Sequence, residues 1–378
     1  MGTTRTAQER GGMTAWVYIS KKFVYTVLAA LVGAIALSML FDMMELARRA
    51  SDLEISFFLL LGLAALRAPS IAMVAAPYIV LLGAMWTCAR LARSSELVVL
   101  RAAGVSSIGL AAPVLATAVF LGALSTMVFN PLAAGLLDRF ERLETQLFDD
   151  KTSLLSVTAE GLWLRQGNFS AHSVIQAKSS NADGTLLNDV SIFFFEENDL
   201  FVGRIDADRG ELKPGSWHLQ NATIRKLDRD APSRPPETRL RDFYELETEL
   251  TADQIVDSFA PPETIQFWEL PKLIYTLKSQ GFSARRHLLH FHSLLAAPLI
   301  FATMALIGAA FSMRHSRFGG LGLMALYAAL IGFGAFFVLS VAKALASSGA
   351  ASAIGAAWAP PLGALILAAG LMMRMEDI

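Results

Sequence analysis

The sequence holds one cysteine, Cys88, in 378 residues, which excludes a disulfide within the chain. Cys88 lies in an apolar run and reads as a small hydrophobe. Charge is also scarce. Asp, Glu, Lys and Arg make up 17% of the chain, against about 25% in ordinary soluble proteins. The net charge of −1 excludes the strongly basic balance of a nucleic-acid binder. No Gly-Lys dipeptide occurs, so a phosphate-binding loop of the GxxxxGK type is excluded. No His is followed by Glu, and no Gly-x-Ser-x-Gly appears, which removes the zincin helix and the hydrolase nucleophile elbow. The chain is not expected to be an enzyme. Work against a gradient would need energy from a partner. The first apolar run is long and lacks a small-residue cleavage site, so it is expected to stay as an anchor.

What is present is hydrophobic, 54% of residues. Apolar runs near the roughly 17–25 residues that span a bilayer lie at 23–41, 71–92, 108–130, 288–312, 321–345 and 355–373. A shorter run, Ile55 to Leu66, reads as an interfacial or re-entrant lead-in to the second span, broken at Pro69. Basic residues Arg5, Arg10, Lys21, Lys22, Arg90, Arg93, Arg101, Arg314 and Arg317 fall on one side of a six-span arrangement. Arg48, Arg49 and Arg67 fall on the other, diluted by Asp42, Glu45, Asp52 and Glu54. The positive-inside rule then makes both termini cytoplasmic and puts the middle of the chain outside. The expected fold class is membrane α-helical, with six transmembrane helices and an inserted all-β domain. Residues 1–132 carry three spans, 133–287 the exported domain, and 288–378 the last three spans.

The middle domain is strand-like. Tyr244 to Leu250 alternates, with Tyr244, Leu246, Thr248 and Leu250 on one face and Glu245, Glu247 and Glu249 on the other. Further strands are expected at 161–165, 173–177, 190–196, 201–207 and 217–225. Turn chemistry separates them at Asn181–Gly184, Glu197–Asp199, Asp208–Gly210 and Pro214–Ser216. Trp163, Phe193, Phe194, Phe195, Phe201 and Trp217 are candidates for the interior, and Asp228 to Pro236 reads as a polar loop. After Pro261-Pro262 a helix is expected, with Pro271 in its first turn, Leu273, Ile274 and Leu277 on one stripe, and Gly281 as its stop. His287, His290 and His292 form a metal-like cluster, but no Cys or carboxylate completes it, and they read as interfacial rings.

Ser94 to Gly104 is too polar to cross a bilayer and sits between two spans. It reads as a helix on the membrane surface. Leu97, Val98, Leu100 and Arg101 give it apolar area to bury and charge to orient it, either against headgroups or in the grip of a soluble partner.

Four local patterns, taken in order along the chain, resemble the permease subunits of the lipopolysaccharide export machine, the LptF/LptG family, on its LptG side. They are Ser95-Glu96-Leu97-Val98-Val99-Leu100-Arg101-Ala102-Ala103-Gly104; Ser153-Leu154-Leu155-Ser156 with Gly161-Leu162-Trp163; Leu273 through Gly281; and His292 with Ala297-Pro298-Leu299, followed by Phe311 and a basic loop. The resemblance implies a Gram-negative inner-membrane permease with a periplasmic jelly roll, paired with an LptF-type permease around a lipid cavity. It implies a cytoplasmic ABC ATPase dimer of LptB type, which would bind the ATP and Mg, so this chain would hold no cofactor. An LptC-type anchored jelly-roll protein and an LptA-type periplasmic bridge would receive the lipopolysaccharide. The segment 94–104, through Glu96, Leu97, Val98, Leu100, Arg101 and Gly104, would be the coupling helix in a groove of the ATPase. Arg48 and Arg49 would meet lipid A phosphates, Lys343 would face the cavity, and Phe333, Phe336 and Phe337 would wall it. The sequence departs from the family by placing Asp42 and Ser70 where basic residues are usual; Asp42 would then need a cation such as Lys343. Rival readings are a permease for another envelope lipid or lipoprotein, and a scaffold that only presents the β domain.

Overall fold

A computed structural model describes residues 3–51, 55–94, 96, 102, 106–148, 155–158, 161–167, 171–181, 184–196, 200–227, 237–248, 250–251, 255, 261–315 and 321–374. It divides into two compact units, Met1–Phe140 with Leu288–Ile378, and Glu141–His287.

The first unit is helical. Its described helices are α1 (Thr3–Arg49), α2 (Phe57–Arg93), α3 (Ser107–Leu124), α4 (Asn130–Phe148), α6 (Arg285–Leu295), α7 (Ala297–His315), α8 (Leu321–Ser348) and α9 (Ala353–Met373), with α5 (Leu270–Ser279) in the second unit. A π-helical turn, Ser125–Phe129, joins α3 to α4. Five of the described helices are long and apolar enough to cross a membrane, or six if the bent pair α6–α7 is one span. The break expected at Pro69 is absent: α2 runs unbroken through Pro69 and Pro77. The reason is a count of unmet backbone groups. Ending a helix there would strand four carbonyls and open a new helix with four unmet N–H groups, whereas a proline within the helix leaves one carbonyl without its donor.

Small residues set the packing, as they do where lipid offers no hydrophobic drive between helices. α7 lies against α2 and α3, its Phe301, Met304, Ala305 and Ala309 meeting Val80, Ala84 and Cys88 of α2 and Val114 and Ala118 of α3 in one buried cluster. At Gly308 an added Cβ would sit 2.6 Å from the Leu81 carbonyl oxygen. One turn on, the buried Ser312 hydroxyl donates to the Met85 carbonyl at 2.9 Å.

The bend of 51° between α6 and α7 has a chemical cause. In an unbroken helix the Leu294 carbonyl would accept from residue 298, and Pro298 has no N–H. The orphaned oxygen instead accepts from the Thr126 hydroxyl at 2.8 Å. Thr126 is buried within the π-helical turn, so two irregularities in neighbouring helices satisfy one another.

The second unit is a sheet of seven described strands: β1 (Leu155–Thr158), β2 (Gly161–Gly167), β3 (Ala171–Ser180), β4 (Leu186–Glu196), β5 (Leu200–Lys213), β6 (Ser216–Lys226) and β7 (Glu237–Glu247). Each strand pairs with its sequence neighbour, giving the order β1-β2-β3-β4-β5-β6-β7, and every pairing is antiparallel. This is a meander. The crossing connections of the implied jelly roll are absent among the described strands.

Alternation places Leu162, Leu164, Ile175, Ala177, Ile192, Ile205, Trp217 and Leu219 in the buried face. Phe193, Phe194 and Phe195 are half-buried and Phe201 is exposed, so of the aromatic residues expected inside, Trp217 is the one fully enclosed. The turn expected at Asp208–Gly210 does not form. β5 continues through it, and Gly210 faces the core, where a Cβ would stand 3.2 Å from the Leu219 side chain and 3.4 Å from that of Val190, a tight fit. At Gly215 and Gly184 the turns do form, with φ of +87° and +72°. Tyr244 and Leu246 are half-buried between exposed Glu245 and Glu247, as the alternation predicts. The loop 228–236 lies outside the described residues.

α5 carries Pro271 in its first turn and buries Leu270, Ile274 and Leu277. Gly281 ends it with φ +89°, and the Phe282 N–H returns to the Leu277 carbonyl at 2.9 Å, a left-handed glycine stop.

Candidate functional site

Of the segment 94–104, Ser94, Glu96 and Ala102 are described, and Glu96 and Ala102 are helical. Leu97, Val98, Leu100, Arg101 and Gly104 lie outside the described residues. Glu96 is fixed by α1. The Lys22 Nζ donates to both Glu96 carboxylate oxygens at 3.3 Å, and the Tyr18 hydroxyl donates to Oε1 at 3.4 Å. Lys22 also stands 4.2 Å over the Tyr18 ring. Tyr18 and Lys22 are four residues apart, so the helix presents them on one face. The Lys22 and Glu96 side chains are 24% and 35% exposed, more sheltered than the usual surface pair.

Burial alone would push the Glu96 carboxyl up. Hydrogen bonds from Ser94, Lys22 and Tyr18, with the Lys22 charge, outweigh it and hold the group below the usual glutamate range. The folded value is therefore below the unfolded one. The contact's contribution is complete above the ordinary glutamate range and is lost as pH falls through the depressed value.

Toward its C-terminal end α1 carries a second charged group. Asp42 Oδ1 lies 3.5 Å from the Arg67 guanidinium, with side-chain exposures of 13% and 42%. Arg67 stacks 5.3 Å over the Phe140 ring. Asp42 was expected to need a basic partner such as Lys343; the structure places Arg67, on α2, beside it. The proximity of α1 and α2 decides this, and no periodicity encodes it. Arg48 makes a two-pronged contact with Glu45, three residues earlier, at 2.7 and 3.0 Å, and Arg48 and Arg49 are exposed.

Lys343 is exposed on α8, as are Phe333, Phe336 and Phe337. Phe336 meets Tyr78 of α2 edge to face, ring centres 6.3 Å apart. With Leu326, Leu330 and Val341, the phenylalanines form an apolar exposed flank along α8. A separate cleft of about 110 Å³ is walled by Val27, Leu31, Met73, Ala76, Leu124 and Phe129, and none of the three phenylalanines lines it. The expected site residues thus fall into three places: Glu96 beside Tyr18 and Lys22 in the first half of α1, Arg48 and Arg49 in its last turn, and the phenylalanines with Lys343 on α8. His287 is buried and His290 and His292 half-buried, and among the described residues no cluster of His, Cys, Asp or Glu has metal-binding geometry.

Lys22, Tyr18 and Arg67 escaped the sequence reading as site residues. Lys22 and Arg67 entered it only as charges that set orientation, and Lys22 lies 74 residues from Glu96, far beyond any local pattern.

Comparisons with known proteins bear on the family of the chain. The family described as lipopolysaccharide export system permease LptF/LptG matches residues 17–374. The lipopolysaccharide export system permease protein LptG of Escherichia coli strain K12 is 26% identical over 329 residues, covering 85% of this chain and 87% of the relative. The same protein from E. coli O6:H1 strain CFT073 matches equally. A family match running from α1 to the end of α9, across helices and sheet alike, leaves one assignment: this chain belongs to the LptF/LptG family of lipopolysaccharide export permeases.

Proposed function

We propose that this chain is the LptG-type permease subunit of an ABC transporter that extracts lipopolysaccharide from the inner membrane of a Gram-negative cell. The observation that carries the reading is the family match over residues 17–374. In this reading both termini and the 94–104 segment are cytoplasmic, and the sheet unit is periplasmic. An LptB-type ATPase dimer holds ATP and Mg and grips the coupling segment through Glu96, Leu97, Val98, Leu100, Arg101 and Gly104. An LptF-type permease pairs with this one. LptC-type and LptA-type proteins take the lipid onward.

Physical chemistry supports a division of labour between a motor and an inert permease. Burying a methylene is worth about 0.8 kcal/mol when it leaves water. An acyl chain moving from bilayer to an apolar cavity gains little, so extraction needs mechanical work. The chain lacks a phosphate loop of its own, so that work comes from the ATPase. Of the five helices that are each long and apolar enough to cross a membrane, α1 and α8 are the least enclosed. That leaves the apolar flank of α8, with Phe333, Phe336 and Phe337, to face acyl chains or the second permease. Lys343 would face the lipid cavity, and the exposed arginines Arg48 and Arg49 would meet the phosphates. Arginine suits this role because its planar fork donates two hydrogen bonds to one phosphate.

Isolation of the tagged chain in mild detergent tests the proposal. The expected companions are a nucleotide-binding subunit, a second permease and lipopolysaccharide. Arg48→Glu with Arg49→Glu should lower the copurified lipopolysaccharide several-fold while both subunits remain. Recovery of the chain with neither subunit nor lipid would refute the assignment, and unchanged lipid in the double variant would return both arginines to a role as membrane anchors.

A further inference from the structure

We propose that Lys22, assisted by Tyr18, is a positioning residue that makes α1 the receiver of motion from the Glu96 segment. The inference rests on the reading of that segment as the coupling helix and adds the element to which it is coupled. Two groups from α1 converge on one carboxylate. The Lys22 ammonium reaches both oxygens at 3.3 Å, and the Tyr18 hydroxyl reaches one of them at 3.4 Å. Tyr18 also orients the ammonium with its ring face, at 4.2 Å. Both donors sit on one helix, one turn apart, so a displacement of Glu96 pulls on α1 at two points.

An isolated surface ion pair contributes little, with a median of about 0–1 kcal/mol. This contact differs in being sheltered and in being joined by a hydroxyl and a ring. It is also placed where leverage is large. α1 continues unbroken to Arg49. Directly after Lys22, Phe23 and Val27 are buried in the helical core with Ile79, Leu81 and Ala84 of α2, and Gly83 of α2 comes so close that an added Cβ would lie 2.7 Å from the Val27 side chain. Toward its far end α1 is tied to α2 by Asp42 and Arg67. α1 is an unbroken helix packed along one side, at Ile19, Phe23, Val27 and Leu46, so a push at Lys22 is passed along it toward Asp42 through a packed seam that does not absorb displacement by compression. The arginines proposed to hold phosphate sit on the last turn of the same helix.

The test uses the complete complex with the ATPase subunit and second permease, reconstituted in proteoliposomes that contain lipopolysaccharide. The readouts are the ATPase subunit retained and the lipid released per ATP hydrolysed. Lys22→Met should retain the subunit but release several-fold less lipid per ATP. Lys22→Arg, which keeps the charge, should restore the ratio, a rescue that mere loss of helix packing would not give. Tyr18→Phe, which removes one hydroxyl, should lower the ratio to a smaller extent and serves in place of Lys22→Met if that variant melts earlier. A wild-type ratio in Lys22→Met with the subunit bound overturns the inference and leaves the coupling reading intact. Absence of the ATPase subunit from the unaltered chain overturns both.

Discussion

Gly122→Val is expected to destabilise the helical unit by more than 3 kcal/mol, at or beyond the upper end of the about 1–3 kcal/mol usual for overpacking. A Cβ built on Gly122 falls 2.6 Å from Pro298 Cα and 3.0 Å from both the Pro298 nitrogen and the Ala297 oxygen. All three are backbone atoms, so no rotamer change relieves the contact. The helix-propensity gain of alanine over glycine is about 1 kcal/mol, too small to offset even Gly122→Ala. The clash also falls beside the Thr126 to Leu294 hydrogen bond, so separating α3 from α7 would leave that carbonyl bare in an apolar setting. Gly33 provides the control, because nothing lies within 4 Å of its built Cβ; Gly33→Ala should be neutral or stabilising by up to about 1 kcal/mol. Thermal unfolding of the detergent-solubilised protein, followed for both variants, checks the contrast. Equal melting temperatures for Gly122→Val and the unaltered chain would mean that α3 and α7 do not meet as described.

Arg67→Ala carries the second large effect. It would leave Asp42 sheltered with its cation gone, and Asp42 Oδ2 already has no hydrogen-bond partner. Removing one partner of a fully buried pair costs about 3–5 kcal/mol. Arg67 is 42% exposed, so water screens part of this, and about 1–3 kcal/mol is expected between that limit and the exposed-pair median. Adding Asp42→Asn to Arg67→Ala should recover most of the loss, since the uncompensated charge is then gone. A double-mutant cycle measures this coupling. Additive effects of the two changes would show that the pair is idle.

The helical part of the fold was legible because spans leave long apolar runs, and the strands were legible where one face is buried and the other wet, as at Tyr244 to Glu247. Errors arose where one residue type serves two purposes. Pro69 reads as a breaker, yet in a long apolar helix continuing strands fewer carbonyls than stopping. Gly210 reads as a turn, yet it sits inside a strand and faces the Leu219 side chain closely. The meander was beyond sequence reading, since strand order depends on contacts between distant segments.

The site divides in the same way. Glu96 stood out as an acid in a short amphipathic segment between spans, and Asp42 as an acid where a cation was expected. Their partners, Lys22 and Arg67, are set by how α1 packs against its neighbours. The bend at Ala296 and the π-helical turn were likewise hidden, although Pro298 and Thr126 together hold the chemical reason for their pairing.

The measurement closest to the central claim is ATP-driven release of lipopolysaccharide from proteoliposomes that hold this chain with the proposed ATPase and second permease, compared with the same complex carrying Glu96→Lys. The account predicts release that requires ATP in the first case and falls to the no-ATP level in the second, together with loss of bound ATPase. Undiminished ATP-driven release by the Glu96→Lys complex would contradict it.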